Sequence, residues 1–119
     1  MDLETIREHA LGLGAVTEDF PFDQDTLAFR VGEKIFLLAS LEKVPAAFNA
    51  KCDPEKAIEL RERYQAIQPG YHMNKKHWNT ITLDGTVPRE LVLELVEHSW
   101  SLVASSLPKR KQKELGITT

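Results

Sequence analysis

Chemistry-bearing side chains are densest between Pro69 and Thr80, PGYHMNKKHWNT, where Tyr71, His72, Asn74, Lys75, Lys76, His77, Trp78 and Asn79 crowd a short segment. Lysine neutralises phosphate, asparagine pairs with a base edge, and an aromatic face stacks on an exposed base. The same residues also fit a plain hairpin with Tyr71 and Trp78 buried and a solvated Lys-Lys tip. A third arrangement has Tyr71, His72, His77 and Trp78 lining a cleft for a small ligand. His72 and His77 stand five apart, which suits neither one helix face nor a zinc pattern. No fourth ligand joins them and Cys52, so no metal site is expected.

Cys52 has no nucleophile signature around it and fits a small buried residue at a strand end. His9 and His98 fall on predicted helices beside acidic neighbours, at surface or boundary positions. No GxxxxGK[ST] loop occurs, and Gly12 with Gly14 make no dinucleotide fingerprint. Glu18, Asp19, Asp23 and Asp25 depart from calcium-loop spacing and fit solvated turns. No cofactor and no catalytic constellation are expected.

The elements that must position these residues follow from periodicity. Leu3, Ile6, Ala10 and Leu13 share a helix face behind the cap residue Asp2, and Gly12 and Gly14 end that helix. AVTEDFPFD is extended, because Pro21 disfavours a helical Phe20. Leu27, Phe29 and Val31 alternate as a strand, Gly32 turns the chain, and a second strand returns over residues 34–41. That return strand is apolar on both faces, with Ile35, Leu37 and Ala39 on one and Phe36, Leu38 and Ser40 on the other.

Residues 46–51 supply a third strand. Asp53-Pro54-Glu55 then opens a helix with a cap, a proline at the first turn and an acid at the positive end. Strands are expected at residues 70–73 and 78–83. A long amphipathic helix runs from about Pro88 to Pro108, with Leu91, Val92, Leu95, Val96, Ser99, Leu102 and Val103 on its apolar stripe. The order α-β-β-β-α-β-β-α gives a two-layer α+β domain with a five-stranded antiparallel sheet.

The 119 residues make one domain, with 108–119 as a short basic polar tail in which Lys109, Arg110, Lys111 and Lys113 follow Pro108. At 42% hydrophobic and 28% charged, the chain is neither disordered nor fibrous. A lone cysteine excludes an internal disulfide. The longest apolar run, Ile35 to Ala39, is far too short to span a bilayer, and MDLETIREHA is unlike a secretory signal. A soluble cytoplasmic domain is the expectation. The net charge of −3 hides an asymmetry: residues 1–25 carry −6 and residues 26–119 carry +3. A strongly basic nucleic-acid binder is thereby excluded, but a local basic surface is not.

The junction AFNAKCDPE, the core PGYHMNKKHWNT and the turn DGTVP into the last helix resemble the MmcQ/YjbR family of small bacterial proteins. FPFDQDTLAFRV and SLVASSLP extend the likeness over nearly the whole chain. The resemblance implies a two-layer domain related in fold to secretion-chaperone-like domains, and noncatalytic contact with double-stranded DNA through two sheet hairpins. Carried onto this sequence, Arg30, Lys34 and Lys51 join Asn74, Lys75, Lys76, His77, Trp78 and Asn79 as the expected contact residues. The alternatives are a module that binds a protein partner or a second copy of itself through its apolar strand, and the small-ligand cleft described above.

Overall fold

The computed structural model describes residues 1–70 and 73–117. Local signals start the helices. Asp2 accepts the Thr5 amide at 3.0 Å and opens α1 (Leu3–Leu11), and Asp53 accepts the Lys56 amide at 3.1 Å and opens α2 (Pro54–Arg63). The long helix α3 (Arg89–Ser106) turns Val92, Leu95, Val96, Ser99, Val103 and Ala104 inward. Each large apolar side chain buried there contributes about 1.5–3 kcal/mol relative to exposure. Residues of the expected tail form a further short helix, α4 (Lys109–Glu114). Gln112 is buried beneath it and donates to the Leu107 carbonyl at 2.8 Å, while Leu115 and Ile117 pack on the core.

The strands are β1 (Val16–Asp19), β2 (Thr26–Val31), β3 (Lys34–Ser40), β4 (Ala47–Lys51), β5 (Ile67–Pro69) and β6 (Trp78–Thr82). They form one antiparallel sheet in the order β1-β2-β3-β4-β6-β5. Six strands rather than five result because VTED pairs along β2 as an edge strand, Val16 opposite Val31 and Asp19 opposite Ala28. Its charged side chains suit an edge. The bidentate pair of Arg7 on Glu18, 2.6 and 2.9 Å, ties β1 to α1. Of the strand expected at 70–73, residues 71 and 72 lie outside the described residues; the strand described before β6 is β5, where Ile67 faces Ile81 and fills the core.

Leu27, Phe29, Leu37, Ala39, Phe48, Ala50, Ile67 and Ile81 share one sheet face and form the core with Ile6, Ala57, Leu60, Leu95 and Val96 of the helices. The strict alternation expected for β3 fails at Phe36. Phe29 pairs with Leu37 but Arg30 pairs with Ile35, so Phe36 is an extra residue, and the bulge carries its side chain into the core. Its carbonyl accepts the hydroxyl of Ser99, which in turn accepts the Lys51 amide at 2.8 Å.

Candidate nucleic-acid interface

Antiparallel pairing sorts the loops between two ends of the sheet. The β2–β3 turn, the end of β4 and the start of β6 share one end, with Lys51 directly paired to Trp78 and the Cys52 amide on the His77 carbonyl at 2.7 Å. Helix α3 spans about 27 Å and delivers Leu107 to the same end. There Gly32, at φ +57°, leaves room for Leu107: a Cβ on it would stand 2.6 Å from a Leu107 methyl. Gly32 and Glu33 both take positive φ, as a tight two-residue hairpin turn requires.

The segment before β6 is held from within and from α2. Asn74 accepts the Lys76 amide on its side chain at 2.9 Å and the His77 and Trp78 amides on its carbonyl at 3.2 and 3.0 Å. Arg61 reaches in from α2, donating to the Asn79 side chain at 2.6 Å, to the Trp78 carbonyl at 3.3 Å and to the Lys75 carbonyl. This clamp makes Arg61 a positioning residue that the sequence pattern leaves inconspicuous. Its one signal is a cation four residues after the inward-facing Ala57. The Gly70 amide closes the turn on the Trp78 carbonyl at 2.8 Å, and a Cβ on Gly70 would lie 2.8 Å from that of Trp78.

The expected contact residues separate into two groups. Lys34, Lys75 and Lys76 are exposed and Lys51 is half-buried beside Trp78 on the sheet face away from the helices; all four share the end just described. Among the described residues none of these four ammonium groups has a carboxylate within 4.0 Å. Glu33 lies in the hairpin turn, Asp53 and Glu55 at the start of α2, and α4 follows with Lys109, Arg110, Lys111 and Lys113.

Asn79 is not available to a base edge: it is 2% exposed on the helix side of the sheet and occupied by Arg61. Arg30 is committed to Asp19 at 3.0 Å and to the Glu33 carbonyl at 2.9 Å. The Asn74 side-chain oxygen is engaged by its own loop, on an exposed residue. His77 and Trp78 are half-buried, and Tyr71 and His72 lie outside the described residues.

Nearby titratable groups serve the scaffold. Cys52 is buried, and desolvation pushes its thiol up to about 11. His98 is half-buried and accepts the Asp53 amide at 3.1 Å; burial, then Lys56, lowers its pKa. Among the described residues no three His, Cys, Asp or Glu side chains could hold a metal ion, and no helix is long and apolar enough to cross a membrane.

Helices on one face of a six-stranded antiparallel sheet, with the lysines at one end, define a two-layer α+β domain of the kind seen in the crystal structure of Deinococcus radiodurans protein DR2400, domain DUF419. That structure is similar at a TM-score of 0.94 and 42% identity, over 98% of this chain and 89% of the other. The chain belongs to the YjbR family, also called MmcQ/YjbR, whose model matches residues 11–102. It is 38% identical to the uncharacterised protein YbdF of Escherichia coli O157:H7, over 94% of this chain and 92% of that protein. It is 26% identical to the uncharacterised protein YjbR of E. coli K12, over 97% and 98% respectively.

Proposed function

We propose that the chain is a noncatalytic DNA-binding module that contacts the phosphate backbone of a duplex through the end of its sheet. The observation that carries this reading is the gathering of Lys34, Lys51, Lys75 and Lys76, distant in sequence, at one end without carboxylate partners among the described residues. Trp78, beside Lys51, is the side chain placed to meet a sugar or base. With Asn79 buried and Arg30 and the Asn74 side-chain oxygen engaged within the protein, the contact is mostly to phosphate, and sequence discrimination is weak.

Titration of labelled duplex DNA between 50 and 200 mM salt tests this. Four neutralised phosphates give a slope of log affinity on log salt of about −3.6, or roughly a hundredfold loss over that range. Lys75→Ala and Lys76→Ala each reduce the slope by about one, whereas Arg30→Ala changes it little. No complex at 50 mM salt, or one indifferent to both lysine changes, overturns the reading.

A further inference from the structure

The opposite end of the sheet has a different chemistry. Among the described residues six large hydrophobic side chains are exposed: Met1, Phe20, Phe22, Leu41, Val44 and Ile58. All but Ile58 collect at that end. Phe20 and Phe22 lie in the β1–β2 loop and Leu41 and Val44 in the β3–β4 loop, and the two loops are joined by the Leu41 amide on the Asp25 carbonyl at 2.8 Å. The loop after β6 is joined to them by the Leu83 amide on the Ala46 carbonyl at 2.7 Å, and Met1 lines a shallow cavity there with Leu83 and Arg89. Scattered exposed apolar residues need no explanation, but apolar loop tips gathered at one place mark an interaction surface. Val44 is 95% exposed and Phe22 67%.

Charge selects the occupant. Across residues 20–25, 41–46 and 83–88, Asp23, Asp25, Glu42 and Asp84 stand against Lys43, and the charges of Arg89 and the Met1 amine beside the cavity are matched by Glu90 and Asp2. Asp23 accepts the Asp25 and Thr26 amides at 2.8 and 2.7 Å, and Asp84 accepts the Thr86 hydroxyl at 2.6 Å and its amide at 2.9 Å. Those bonds keep both carboxylates ionised. An anionic lipid surface or nucleic acid is repelled from such a rim, and a second copy would bring the same carboxylates against themselves across a two-fold axis. We infer that the apolar, acidic end formed by the β1–β2, β3–β4 and β6–α3 loops docks a partner protein through a basic amphipathic segment, leucine-like side chains on the loop tips and lysine or arginine on the surrounding carboxylates.

The probes are three fluorescent peptides of equal length: an amphipathic Leu–Lys helix, its Leu–Glu counterpart, and a Lys–Ser peptide lacking leucine. The full chain binds the first at least about tenfold more tightly than either control, and added salt weakens it. Phe22→Ser with Val44→Ser, and separately Asp25→Lys with Glu42→Lys, each weaken binding about tenfold or more. Thermal melts verify that both variants are folded, as substitutions at exposed loop positions allow. Lys75→Ala with Lys76→Ala leaves peptide affinity unchanged, so the result is independent of DNA contact. Equal affinity for the Leu–Glu peptide, or insensitivity to both loop variants, overturns the inference. Self-association, or partition onto phosphatidylcholine vesicles, that disappears in the Phe22→Ser, Val44→Ser variant overturns it too by naming a different occupant.

Discussion

Single residues hold the candidate interface in place more than they compose it. Arg61 reaches three acceptors around the turn before β6 with one planar fork, a geometry that a lysine does not reproduce. Arg61→Ala is expected to destabilise the fold by about 1–3 kcal/mol in urea unfolding, because Asn79 and two carbonyls lose a charged donor, and Arg61→Lys by less, because one ammonium cannot reach all three acceptors. Glu33 is the converse case. It occupies a left-handed conformation at φ +72° and serves Arg30 only through its carbonyl. Glu33→Gly removes that strain without removing the bond, and a gain of about 0.5–1 kcal/mol is expected after the added chain entropy.

At the scale of elements, the bulge in β3 and the middle of α3 are one device. The bulge turns Phe36 inward, and Ser99 bridges its carbonyl and the Lys51 amide. Ser99→Ala removes a buried hydroxyl that serves the Phe36 carbonyl and the Lys51 amide and is expected to cost about 1–3 kcal/mol, read as a lowered denaturation midpoint. One residue earlier on the same helix, neutral His98 accepts the amide that begins α2. Its folded pKa lies below the ordinary 6.5, so the unfolded chain binds the proton first as pH falls. This contribution is intact above about pH 6.5 and is lost below it, towards the folded pKa. Thermal melts of wild type against His98→Gln between pH 7.5 and 5 test the sign: wild type loses stability over that window and the variant loses less.

Across the whole molecule, charge and apolarity are segregated end to end. The hairpin turn at Gly32 and the C-terminus of α3 place the lysines and α4 at one end, and the loops carrying Phe22, Val44, Asp25 and Glu42 occupy the other. Such a polar body orients itself in the field of a polyanion before contact. On the proposed DNA contact, Lys109→Gln with Lys113→Gln is expected to slow association several-fold at 50 mM salt while leaving dissociation nearly unchanged, measured by stopped-flow.

Features that depend on neighbours within a helical turn or a tight turn were legible in the residues alone. The caps Asp2 and Asp53, the stripe of α3 and the turn at Gly32 are side-chain-to-backbone or next-turn relations, and they occur where their spacing predicts. The extended course of AVTEDFPFD was legible, but its place as a sheet strand was not, because VTED carries no alternating apolar signal to show that it pairs with β2. The inward turn of Phe36 depends on register, and the burial of Asn79 on a guanidinium eighteen positions away. The amino-acid order by itself determined the family, the antiparallel α+β class and the identity of the lysines. Only tertiary structure decided which of the expected contact residues are free, and that the cations and the apolar loops lie at opposite ends, since strand pairing alone brings distant segments to a common edge.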